Sequence, residues 1–427
     1  MLRTRLLASF TLAAATAAVV VAAAPASADP AVAPVTPVAP VTPVLPAPTG
    51  PHQVGRVDLH LVDHSRPDPW LPEHSDREVM ANVWYPARDA DRHPVAPYLT
   101  APQAAGLAQG AFGLPAGSVD WAATRGNAHQ GAPMDRSGGP HPVVFVSPAH
   151  FSSVDTMTAL AEDLASRGYV VVGVDDTYEA PVVQFPGGRV ATVQLSAVPV
   201  RLPSGDLDPA KLPALLVKTT QTRVADARFV LDQLALANAG HNPDAERQPL
   251  PRGLRGSLDT SRAAAVGGIA MGPVTVLQLA HDDRRFAAVA ALSDLSGPVT
   301  GLDLPVQRDG LDRSVLYLTT TRGSHVTDPA WQPLWPKLTG WKRELNLAGA
   351  VNGTFSDFHA LVADAYGRLG RPVPDEVRGM FGPVDAGRSL AAQRAYVAAF
   401  LDQQLRGCHR SLLDGPSEAF PEITFPA

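Results

Sequence analysis

The chain has 427 residues, of which 45% are hydrophobic and only 18% are charged. That size and apolar content suffice for one large core and argue against a coiled coil or an acidic disordered chain. A formal net charge of −6 argues against nucleic acid or an anionic membrane surface as the main partner.

Residues 1–28 carry the three parts of an export signal: the basic stretch "MLRTR", an alanine-rich apolar run, and the small-residue site Ala26-Ser27-Ala28. The cleavage site follows the apolar run at once, which favours an export signal over a retained anchor. Localisation is therefore expected to be secreted, with cell-envelope association open, and no transmembrane segment is expected after signal removal. Proline then recurs every two or three residues, so 29–53 is expected to be a disordered linker. The sole cysteine, Cys408, rules out an intramolecular disulfide.

The folded domain is expected over 54–427. "VDLHLVD" and "VMANVWYP" alternate as half-buried strands that would form an antiparallel edge. The overlapping stretch "HLVDHSRPDPWLPEHSD" holds His60, Asp63, His64, His74 and Asp76. Their spacing matches no zinc signature, and the run reads as a solvated loop. Residues 101–140 show no period and read as irregular cover. "HPVVFVSP" and "YVVVGVDD" are continuous apolar runs, as in strands buried on both faces, and "DTMTALAEDLASRG" between them has helical spacing. "VVQFPGGRVATVQ" reads as a hairpin, and a long helix covers about 209–239. "AAAVGG", "FAAVAALSD", "SVLYLTTTRG" and "ELNLAGA" read as strands. "VTVLQLAHDD", "DFHALVADAYGRL" and "SLAAQRAYVAAFLDQQL" read as helices. The alternation predicts an α/β class with a mostly parallel sheet, helices on both faces and an antiparallel edge.

Between "AAAV" and "VTVLQLA" stands "GGIAMGP", a strand, a glycine turn and a helix start. The frame Gly268-Ile269-Ala270-Met271-Gly272 is that of a G-x-S-x-G nucleophile elbow with alanine in the serine place.

Several separated blocks, in order, resemble secreted bacterial α/β-hydrolases of the platelet-activating-factor acetylhydrolase type. They include "SPAHFSSVDTMTALAEDLASRGYVVVGVDDTYEAP", "QFPGGRV", "TRVADARFVLDQL" and "AGAVNGTFSDF". The resemblance implies an α/β-hydrolase fold and serine-esterase chemistry with no cofactor or metal. Carried over by position, it puts the serine on Ala270, the acid on Ser293 and the base on Asn352. The oxyanion amides fall on His150 and Met271. None of the three triad positions holds a residue with the required chemistry, so the resemblance implies a degenerate triad. The expected function is a catalytically inactive member that keeps a small apolar or ester-like ligand. The alternatives are an active carboxylic-ester hydrolase with relocated residues, drawn from Asp294, His150, Asp176 and His359, and a cell-envelope interaction protein. Trp331 and Trp335 are candidate cleft-lining residues. Oligomeric state and ligand identity are open at this level.

Overall fold

The computed structural model describes residues 39–71, 73, 75–194, 208, 210–294, 302–321 and 323–426. The export-signal reading of 1–28, the linker reading of 29–38 and His74 lie outside them.

The chain opens on two long antiparallel strands, β1 (Gln53–Pro67) and β2 (Asp76–Ala87). Then come β3 (Val95–Pro97), helix α1 (Ala101–Leu107), β4 (Arg125–Gln130) and β5 (His141–Ser147). Helix α2 (Thr158–Ser166) leads to β6 (Val170–Asp175), and β7 (Val182–Gln184) pairs with β8 (Val190–Thr192) as a separate hairpin. The helix α3 (Leu212–Ala239) precedes β9 (Leu258–Gly268), α4 (Gly272–Asp282) and β10 (Phe286–Leu292). After α5 (Pro305–Asp309) come β11 (Ser314–Thr319), β12 (Lys342–Leu347), α6 (Asp357–Arg368), α7 (Asp375–Phe381), α8 (Ala386–Arg406) and β13 (Ile423–Thr424).

Eleven of the described strands form one sheet in the order β13-β12-β11-β10-β9-β5-β6-β2-β1-β4-β3. Its middle, from β12 to β6, is parallel. Strand β2 joins β6 antiparallel, and β1 follows it, as the early alternating strands predict. The continuous apolar runs work as expected of strands buried on both sides. In β9, Ala263 and Ala265 face a core under α3 and α4, while Ala264 and Val266 face one under α2 and α8. Small side chains there let helices approach both faces closely.

Three expectations fail. Residues 39–53 are not a free linker. Val41 bridges Val119, Leu45 is buried, the Thr49 amide donates to Asp163 and the Arg394 guanidinium donates to the carbonyls of Pro46 and Ala47. Proline removes amide donors, but its carbonyls remain acceptors, and these tie the segment down.

Residues 101–140 are not irregular. Thr100 and Gln103 form a capping box that starts α1, and β4 extends the sheet.

The run from His60 to Asp76 is not a solvated loop throughout, since β1 extends to Pro67 and β2 begins at Asp76. Among its described residues His60 and Asp63 are buried, whereas His64 is exposed. The His60 ring lies between Glu78 (3.0 Å) and Glu246 (2.8 Å), which raise its pKa against the opposing effect of burial.

A third core, with Leu45, Tyr98, Trp121, Phe358 and Tyr366, joins this N-terminal segment to α1, α6 and α7. Among the described residues no helix is long and apolar enough to cross a membrane.

Candidate active site

The centre of the site is the turn from β9 into α4. A Cβ on Gly267 would come within 2.3 Å of the Gly272 carbonyl, and one on Gly272 within 2.6 Å of the Ser147 carbonyl. Backbone cannot yield as a side chain can, so these two glycines allow β9, β5 and α4 to meet. Gly268 meets only the flexible end of Met157. Between them Ile269 (φ 55°) and Ala270 (φ 47°) are both left-handed. For a β-branched residue that is a true outlier, and such residues cost about 1–3 kcal/mol each. The Gly272 amide closes the turn on the Ile269 carbonyl at 3.1 Å. The backbone is the sharp, strained elbow of the G-x-S-x-G frame, with a half-buried methyl at its tip.

The acid and base positions meet beside it. Leu292 of β10 pairs with Gly268, so Ser293 and the elbow leave neighbouring strands at one level. Ser293, itself at φ 94° and fully buried, donates from Oγ to Asn352 Oδ1 at 2.8 Å. The Asp294 amide reaches the same oxygen at 3.4 Å. Asn352 opens a short 3-10 turn (Asn352–Phe355) after β12. The positions assigned to acid and base are thus in direct hydrogen-bond contact, made by a hydroxyl and an amide.

The loop after β5 is held by a buried polar network that the sequence gives no means of reading. Arg223 of α3 donates to the carbonyls of Pro148 (2.9 Å) and Ala149 (3.2 Å) and pairs with Glu179 (2.7 Å) and Asp176 (3.1 Å). Burial opposes its charge, yet the carboxylates prevail and its pKa is raised. His150 bridges helices: one ring nitrogen meets Thr219 Oγ1 at 2.6 Å and the other meets Thr275 Oγ1 at 2.9 Å. Burial, with the Arg223 charge, holds its pKa well below the ordinary value. Among the described residues the amides of His150 and Met271 have no hydrogen-bond acceptor, and both residues are buried.

The relocated set is not assembled. No hydrogen bond or ion pair joins any two of Asp294, His150, Asp176 and His359 among the described residues. The Asp294 carboxylate accepts from Thr319 Oγ1 (2.7 Å), Thr320 Oγ1 (2.5 Å) and the Thr320 amide (3.0 Å). Asp176 is committed to Arg223. His359 meets Ser389 Oγ at 3.2 Å, but burial lowers its pKa to about 4, which makes it a poor base near neutrality. His359 and Ser389 line a small cavity with Met157, Leu160 and Gln393, next to the 3-10 turn that Asn352 opens.

The two candidate tryptophans sit in aromatic surroundings. Trp331 is fully buried and stacks on Tyr317 at 4.1 Å. Trp335 is half-buried between His325 (4.6 Å) and the Lys342 ammonium (5.0 Å). Among the described residues no cluster of three or more metal-ligating side chains occurs.

No protein-family profile matches the chain. It is similar to a probable 1-alkyl-2-acetylglycerophosphocholine esterase from Arthroderma benhamiae. The identity is 26% over 398 residues, spanning 88% of this chain and 92% of that protein. Among solved structures it is similar to a ferulic acid esterase from Streptomyces cinnamoneus, with 36% identity and a TM-score of 0.70. The match covers 90% of this chain and 99% of that one. With the parallel sheet and the elbow after β9, this likeness shows that the chain belongs to an esterase family of the α/β-hydrolase fold.

Proposed function

We propose that the chain is a non-catalytic member of this esterase family that keeps the cleft for a small apolar or ester-like ligand. The observation that carries the reading is the Ser293–Asn352 hydrogen bond beside a strained elbow tipped by Ala270. Alanine offers no attacking atom, and an amide cannot take and return a proton near neutral pH. Losing one triad member already removes most of the rate, up to roughly a million-fold in a serine hydrolase, so nothing holds the other two in place afterwards. The strained backbone and the two amides that lack an acceptor are what a ligand oxygen would use. We further propose that the protein is exported, on the support of the 1–28 pattern.

The test is binding without turnover. Short-chain acyl esters are offered to the purified protein while hydrolysis and thermal stabilisation are followed together. A ligand that raises the melting temperature and is recovered intact supports the reading. Steady hydrolysis well above the buffer rate overturns it.

A further inference from the structure

A group of buried carboxyls lies at the end of β6, one strand beyond β5 from the elbow strand β9 and outside the triad positions. Asp175 ends β6. Its Oδ2 accepts from Asn82 Nδ2 at 3.0 Å, and its Oδ1 lies 3.3 Å from Ser153 Oγ and 3.3 Å from the Val154 amide. Ser153 Oγ is also 2.5 Å from Asp155 Oδ2 and receives Gln103 Nε2 at 3.0 Å. Arg56 donates to Asn82 Oδ1 at 2.6 Å, which fixes the amide with its NH2 toward Asp175.

The proton inventory is one short. The Ser153 hydroxyl has a single proton, and the 2.5 Å contact assigns it to Asp155. An ionised Asp175 Oδ1 would then face a lone pair of Ser153 Oγ. The lone pairs of that oxygen are taken by Gln103 Nε2 and by the Asp155 amide at 3.4 Å, so a proton on Asp175 relieves the contact by removing one of the two charges that meet there. Charge points the same way. Arg56 and Asp58 of β1 act on Asp155, and Asp155 and Arg56 act on Asp175, while Arg394 of α8 serves the neighbouring Glu162 and Asp357, so Arg56 is the guanidinium set against these carboxyls.

We propose that Asp175 and the Ser153–Asp155 turn share one buried proton, and that its loss to solvent loosens the turn that anchors the loop after β5. Burial first, and the Asp155 charge second, push the Asp175 carboxyl up to about 7. Burial likewise raises Asp155, against Arg56. The turn spans the loop and α1, because Asp155 Oδ2 also accepts from Gln103 Nε2 at 2.7 Å. Two ionised carboxylates would repel and release that link. The loop carrying the His150 amide would then be ordered in mild acid and looser above neutrality.

The test is hydrogen exchange of the amides of 153–157 at pH 6 and pH 8, corrected for the intrinsic pH dependence. The wild-type chain is expected to lose protection about tenfold or more between the two. Asp175→Asn, which fixes a neutral group in place, should show equal protection at both. Asp155→Asn removes one of the two charges that must repel and should likewise show equal protection at both pH values, which keeps the test open if Asp175→Asn fails to fold. Unchanged wild-type protection, or an equal loss in wild type and Asp175→Asn, would overturn the proposal.

Discussion

Ser293 donates its hydroxyl to the side-chain carbonyl of Asn352 at 2.8 Å, at the two positions where the family resemblance puts an acid and its histidine. On the proposed reading, the scaffold keeps this meeting point without the groups that would run the chemistry. The bond has a modest net worth. Ser293→Ala should destabilise the protein by about 1 kcal/mol, the usual value for one neutral hydrogen bond, as read from the urea midpoint.

Restoring all three groups should restore chemistry, and partial restoration should not. Ala270→Ser alone gives a nucleophile without a base and is expected to stay within about tenfold of background, since triad residues act as a unit. Combined with Ser293→Asp and Asn352→His, it should exceed background by roughly a thousandfold or more on a nitrophenyl ester.

The elbow strain predicts a stabilising substitution. Ala270 pays for its left-handed φ of 47°, and glycine would not. Part of the gain returns as backbone entropy, so Ala270→Gly should raise stability by about 0.5 kcal/mol. A calorimetric melt that moves downward would show that the methyl is packed rather than merely strained.

Arg223 holds the loop after β5 through two carbonyls and two carboxylates. Arg223→Met would leave Glu179 and Asp176 buried without their cation. A loss of about 3–5 kcal/mol is expected in denaturant unfolding.

His359 sets an acid-side limit. Its imidazole is neutral in the fold, with a pKa of about 4, whereas the unfolded chain binds the proton near the ordinary value of 6.5. The stability it contributes is therefore complete above pH 6.5 and is lost as pH falls toward 4, by on the order of 3 kcal/mol. His359→Gln should flatten the urea midpoint over that window by comparison with wild type.

Local chemistry decides which parts of this architecture can be read from sequence. The strands β5, β6, β9 and β10 show as short apolar runs because both faces are buried, and the elbow shows because glycines and a helix start flank it. Helix α1 escapes notice although its Thr100–Gln103 capping box was a usable signal. The segment 39–53 is hidden because proline-rich composition speaks of stiffness, whereas Leu45 and the carbonyls of Pro46 and Ala47 find partners far along the chain. Leu45→Ala should accordingly cost about 2–4 kcal/mol, while Val44→Ala, an exposed neighbour, should cost less than about 0.5. The Arg223 network and the roles of Thr219 and Thr275 on His150 leave no mark in a linear pattern, since buried polar groups are defined by partners distant in sequence.

The central claim is that no serine of this chain is an activated nucleophile. A serine-directed fluorophosphonate, incubated in excess with the purified protein and followed by intact mass and peptide mapping, tests it directly. The account predicts an unmodified mass for the wild-type chain and a single adduct at position 270 in the triple variant Ala270→Ser, Ser293→Asp, Asn352→His. Stoichiometric labelling of any wild-type serine, Ser293 and Ser389 included, would contradict it.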